Sequence, residues 1–105
     1  VSLAHASKVA IAYEPIWAIS GGNPSHKAAG AKDAAESHKF VRQVIARIFN
    51  EELSRNMRII YGGSMKPENA QELLSMPNID GGLVGNASLN AKSFADIIKN
   101  FTANL

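Results

Sequence analysis

No cysteine occurs among the 105 residues, so disulfides, thiolate nucleophiles and cysteine-ligated metals are excluded. No apolar run approaches the ~18 residues that a membrane span needs. No block of like charge is present either: 11 Lys and Arg and 9 Asp and Glu are interspersed, for a net charge of +2. That balance argues against nucleic acid and against a membrane surface as partners. His5, His26 and His38 show no metal-ligand spacing, so no metal is expected. No GxGxxG follows any strand-like run, which counts against a dinucleotide-binding unit. No secretory leader precedes the first apolar run, and with cysteine absent the expected location is cytoplasmic. The chain opens on Val1 and reaches a strand-like run within its first ten residues, which reads as the tail of something longer.

Three short apolar runs are present. Val9 to Tyr13 and Arg58 to Tyr61 are rich in apolar and β-branched residues, and Asp80 to Val84 is a third, weakened by Gly81 and Gly82. None alternates with period two, the pattern of strands covered on both faces. A helical stretch follows each. Ala31 to Leu53 carries Phe40, Val41, Val44, Ile45, Ile48 and Phe49 at helical spacing. Lys66-Pro67-Glu68-Asn69 reads as a helix start, with proline in the first turn and Glu68 at the positive end of the dipole, and the helix continues through Leu74. Ala91 to Phe101 sets Phe94, Ile97, Ile98 and Phe101 on one side. Beta-alpha repeated three times predicts an α/β fold with a parallel sheet.

In parallel α/β folds ligands bind beyond the carboxyl ends of the strands. Glu14 stands at the first such end. Pro15 disfavours the αR region for the residue before it, so Glu14 is held extended. Partial desolvation beside Trp17 would make it a stronger base; the alternative is a solvated or ion-paired loop carboxylate. Gly62-Gly63-Ser64 follows the second run, where two glycines allow close backbone approach and successive amides suit an anion. Gly85-Asn86-Ala87-Ser88 follows the third, with a short helical turn that again suits an anion. Each loop alone reads equally as a tight turn, but two on consecutive strands match the phosphate site of (β/α)8 barrels. Arg42, four residues after His38, is placed to pair with Asp80, and both Arg42 and His38 read as structural.

Tyr13-Glu14-Pro15-Ile16-Trp17-Ala18-Ile19, then Tyr61-Gly62-Gly63-Ser64 with Lys66-Pro67-Glu68-Asn69, then Asp80-Gly81-Gly82-Leu83-Val84-Gly85 with Ala87-Ser88-Leu89, closely resemble the triosephosphate isomerases. The resemblance covers nearly the whole chain. It implies a partial (β/α)8 TIM barrel, its sixth to eighth strands and helices, with residues 1–105 forming the C-terminal part of a single domain whose first five strands are absent. The activity it implies interconverts dihydroxyacetone phosphate and glyceraldehyde 3-phosphate, a step of glycolysis and gluconeogenesis, by proton transfer through an enediol(ate). Glu14 would be the base. Pro15, Ile16 and Trp17 would form the first hinge of a lid, and Lys27, Ala28 and Ala29 the second. Tyr61 and Ser64 would latch the closed lid. The amides of Ser64, Gly85 and Asn86 would hold the substrate phosphate, with Ser20 and Gly21 reaching it from the lid. The resemblance implies no metal or organic cofactor, and a homodimer for the complete protein.

Three departures from the family pattern bear on function. Seven residues separate Ile19 from Lys27 where the pattern Ile-Gly-Thr-Gly-Lys has three, which makes the lid tip four longer and spreads its phosphate contact over Ser20, Gly21 or Gly22. The second phosphate loop has Gly85-Asn86 in place of Gly-Gly, and asparagine tolerates positive φ better than most residues. A complete barrel runs to about 250 residues, and the family's electrophilic histidine and its substrate-binding lysine and asparagine lie in strands not found here. The isolated chain is therefore expected to be inactive and marginally stable, or self-associating. The alternative is a non-catalytic phosphate-binding or scaffold half-barrel.

Overall fold

A computed structural model describes residues 1–16 and 30–102. The described elements run α1 (Leu3–Ala6), β1 (Ile11–Tyr13), α2 (Ala31–Ile48), α3 (Glu51–Asn56), β2 (Ile59–Tyr61), α4 (Pro67–Leu74), β3 (Gly81–Gly82), a 3₁₀ turn (Asn86–Leu89) and α5 (Ala91–Thr102). The three strands form one parallel sheet in the order β1-β2-β3. Ile11 stands opposite Ile59 and Tyr13 opposite Tyr61, and on the other side Tyr61 faces Gly82. The alternating β-α order and the parallel pairing are those expected from the sequence.

The central strand is the most deeply covered, with Ile59 and Tyr61 both buried. On one side of it Ala6, Ile45, Met57 and Ile59 cluster, joined by half-buried Val41, Phe49 and Leu53. The other cluster gathers Ala31, Ala34, Tyr61, Met65, Ala70, Leu73, Ile79 and Ile97, so α2, α4 and α5 all contribute to it. The glycines of β3 serve close packing: a Cβ at Gly82 would stand 2.6 Å from the Sδ and Cε atoms of Met65. A side chain there would have to displace the tip of Met65 from the strand.

The strands are shorter than the apolar runs suggest, because pairing begins at Ile11, Ile59 and Gly81. The helix expected over Ala31 to Leu53 is two helices. Phe49 leaves the helical region (φ −114°, ψ −92°), and Asn50 is extended. Asn50 then caps α3, its Oδ1 accepting from the Leu53 amide at 2.7 Å. An asparagine side chain competes with helix continuation in this way and restarts the helix in a new direction. The other helix boundaries fall as expected, with Pro67 in the first turn of α4 and the Asn90 side chain accepting from Ser93 N at 3.0 Å at the start of α5.

Arg42 locks these pieces together. Its Nη1 donates to the carbonyls of Ser54 (2.5 Å) and Met57 (2.9 Å), and its Nη2 to Asn78 O (3.1 Å) and Asp80 Oδ2 (2.8 Å). The same Asp80 oxygen accepts from Ile59 N at 2.8 Å. One guanidinium thus ties α2 to α3 and to the segments entering β2 and β3, the structural pairing read from the sequence. Asn78, which presents its carbonyl to Arg42, has φ +72°, a region asparagine tolerates.

Candidate active site

The carboxyl ends of β1, β2 and β3 converge on a cleft of about 240 Å³. Glu14, Gly62, Gly63, Ser64, Gly85 and Asn86 line it, so one space receives the candidate base and both glycine-bearing loops. This is the juxtaposition expected from three separate strand ends, and it depends on the parallel order of the sheet, which points all three ends the same way.

Glu14 is aimed by its neighbours. Pro15 is buried, which anchors the chain just beyond it. The next strand approaches closely: Gly62 N donates to Tyr13 O at 2.8 Å, extending the β1–β2 ladder past the strand ends. Glu14 itself is exposed, and Trp17, beside which desolvation was expected, lies outside the described residues. The expected lid begins at Pro15, directly after Glu14, and its greater part lies outside the described residues. Ile16 is almost fully exposed. Trp17, Ser20, Gly21, Lys27, Ala28 and Ala29 lie outside the described residues.

The loop after β2 is pinned by Asn69, whose place in the sequence indicates only a helix start. Asn69 accepts from Lys66 N through its Oδ1 (2.7 Å) and donates from its Nδ2 to Ser64 O (3.1 Å). One side chain in the first turn of α4 therefore fixes both ends of Ser64-Met65-Lys66. The signal for it is an Asn at the third helical position, from which a side-chain oxygen can reach back to the amide of the residue before the helix. Lys66 also borders the cleft, at the positive end of α4, so its charge and the helix dipole both favour an anion there. The loop after β3 is held by Ser88, whose Oγ and N donate to Gly85 O at 2.6 and 2.9 Å. A Cβ added to Gly85 would meet nothing within 4 Å. Among the described residues no neighbour requires this glycine.

Two aromatic rings at the ends of β1 and β2 enclose His38. Its ring stands edge-on to Tyr13 (centroids 5.7 Å, 86°) and tilted to Tyr61 (6.0 Å, 40°). His38 is fully buried, and burial holds its pKa below the usual 6.5. The Arg42 charge acts in the same direction, while the Asn78 backbone and the Asp80 carboxylate oppose it. Neither group reaches hydrogen-bond geometry, and both ring nitrogens are without a partner among the described residues. The neutral form is therefore favoured. Tyr61 is buried beside His38, and burial raises its phenol above the usual 10. Tyr61 does not line the cleft; Ser64, its proposed companion in latching a lid, does. Among the described residues no group of three His, Asp or Glu side chains is arranged to hold a metal, and no helix is long and apolar enough to cross a membrane.

Residues 1–101 match the family model described as triosephosphate isomerase. The chain is 53% identical over 93 residues to the triosephosphate isomerase of Chlorobium phaeobacteroides, an alignment covering 89% of this chain and 36% of that protein. It is 54% identical over 94 residues to that of Fusobacterium nucleatum, covering 90% of this chain and 36% of the relative. With that of Rhodopirellula baltica the identity is 50% over 96 residues, covering 91% and 36%. The chain thus spans a little over one third of the length of these relatives.

Proposed function

Because the chain belongs to the triosephosphate isomerase family, we propose that it is the C-terminal part of an enzyme interconverting dihydroxyacetone phosphate and glyceraldehyde 3-phosphate. The three-stranded parallel sheet is then an arc of the family's (β/α)8 barrel, and the preceding strands belong to the same domain. The observation that carries the reading is the single cleft that brings Glu14 together with both anion-suited loops.

In this reading the Glu14 carboxylate removes a proton from the carbon beside the substrate carbonyl. It returns the proton to the neighbouring carbon through an enediol(ate), while the hydroxyl proton passes to the former carbonyl oxygen, so atoms and electrons balance without an oxidant. The phosphate sits against the amides of Ser64, Gly85 and Asn86, with the Lys66 charge near. Ser20 and Gly21 reach it from the lid, whose hinges are Pro15-Ile16-Trp17 and Lys27-Ala28-Ala29, latched by Tyr61 and Ser64. Stabilising the enediolate charge, often the largest catalytic contribution, falls to side chains on the preceding strands. The 105-residue chain alone is therefore inactive. The complete protein is a cytoplasmic homodimer that works without a cofactor.

The test is isomerase activity of the full-length protein carrying this sequence, with Glu14→Asp as the probe. Retracting the carboxylate by one methylene misplaces it by about 1 Å, an error that can cost about 10²-fold in turnover. Unchanged turnover in that variant removes Glu14 as the base. A full-length protein that binds inorganic phosphate without isomerising the substrate identifies a scaffold half-barrel instead.

A further inference from the structure

At the cleft, a side chain on Gly62 would press on Glu14. A Cβ built there would stand 3.3 Å from Glu14 Cβ, 3.3 Å from Tyr13 O and 3.6 Å from Glu14 Cα. The two 3.3 Å distances are tighter than ordinary van der Waals contact, so a side chain fits only if Glu14 and the Tyr13 carbonyl give way by a few tenths of an ångström. Backbone conformation is not the reason for glycine here, because Gly62 has no positive φ. The approach is enforced by the 2.8 Å hydrogen bond from Gly62 N to Tyr13 O, which draws the two strand ends together beyond the last paired residues. On the other side of Glu14, Pro15 is buried and cannot yield freely. Gly85 provides the contrast: its added Cβ meets nothing within 4 Å.

We propose that Gly62 is a positioning residue for the base, its lack of a side chain setting how far Glu14 reaches into the cleft. The two glycines of the loop then divide the work. Gly62 serves the carboxylate, and Gly63-Ser64 serves the anion. This rests on the reading of Glu14 as the base, and it assigns the first glycine of the loop to proton transfer instead of to phosphate.

The test is a double-mutant cycle in the full-length protein, using Gly62→Ala and Glu14→Gln. Gly62→Ala is expected to lower kcat about tenfold or more, as sub-ångström to 1 Å misplacement of a reacting group does, with KM and inhibition by inorganic phosphate within about twofold. In the Glu14→Gln background, where no base remains to be misplaced, the same change should add less than about twofold, because coupled sites are non-additive. A full additional loss in that background would mean that Gly62 acts on the structure generally and would overturn the proposal. A neutral Gly62→Ala alongside a collapsed Glu14→Gln overturns it too while leaving Glu14 as the base. An active Glu14→Gln removes both readings. Should Gly62→Ala not fold, the variant is combined with Glu14→Gly, which deletes the Cβ it meets. Recovery of the fold supports the contact, and continued failure overturns it.

Discussion

At the scale of single residues, the buried imidazole gives the sharpest expectation. His38 has no exposure and no hydrogen-bond partner for either ring nitrogen among the described residues, so its charged form is the costly one. Its folded pKa is lowered from 6.5 by burial first. The sign follows directly. Below about pH 6.5 the unfolded chain binds a proton that the folded one refuses, so stability is present above that pH and is lost as pH falls toward the folded value. The expected outcome is a urea midpoint of the full-length protein that declines below about pH 6.5, by no more than one proton's slope of about 1.4 kcal/mol per pH unit. His38→Leu should flatten that part of the profile. An unchanged slope in the variant would assign the pH dependence to another group. A carboxylate is the contrasting case at this scale: Glu14 carries the proposed chemistry and is exposed, whereas His38 carries no proposed chemistry and is sealed between two tyrosines.

At the scale of elements, the junctions matter more than the helices they join. Arg42 donates to three carbonyls and one carboxylate, the farthest 38 residues away in sequence, and its side chain is only 13% exposed. Arg42→Ala would leave those acceptors without their donor and Asp80 without its cation. Charge-assisted bonds contribute about 1.5–3 kcal/mol each in mutational series, and stranded partners cost more than the bond itself. A loss of about 3 kcal/mol in unfolding free energy is expected, read from the urea midpoint. Arg42→Lys should recover only part of it, because an ammonium lacks the planar fork that serves two directions at once; full recovery would show that charge alone matters. The same junctions mark what the sequence made legible. The three β-α units and the pairing of Arg42 with Asp80 could be read from apolar runs and motif order, because they follow from local pattern and parallel topology. The Asn50 break could not, since Phe40 to Phe49 continues the helical period up to the very residue that ends it. The bridging role of Asn69 was half visible: its place at a helix start could be read, but its bond to Ser64 O depends on how the preceding loop folds back. The lining of the cleft was legible for Glu14, Ser64, Gly85 and Asn86 because each stands at a strand end. The demand that Glu14 makes on Gly62 was not, because it arises between strands.

At the scale of the whole molecule, an arc of three parallel strands leaves its margins uncovered. Among the described residues β1 and β3 each pair on one side only. Phe40 and Ile48 on α2 are 63% and 67% exposed, and Leu83, just after β3, and Ile98 on α5 are each 52% exposed. On the β3 side, Gly81, Gly82, Val84, Phe94, Ile98 and Phe101 border an apolar groove of about 220 Å³. Edge strands with free N–H and C=O groups, flanked by exposed apolar side chains, are templates for further pairing. In a closed barrel both margins are covered by the strands and helices on either side. The 105-residue chain produced alone is therefore expected to self-associate, or to melt without a cooperative transition. Sedimentation and thermal unfolding over a range of concentrations would read this, and a monomer with a sharp, concentration-independent melt would contradict it. Charged substitutions separate the two sources of association. If the helix faces drive it, Phe40→Lys with Ile98→Lys should shift the chain toward monomer while leaving its helical signal intact. If the strand edges drive it, the same pair should leave the assembly unchanged, and the hydrogen-bonding groups of β1 and β3 become the sites to block.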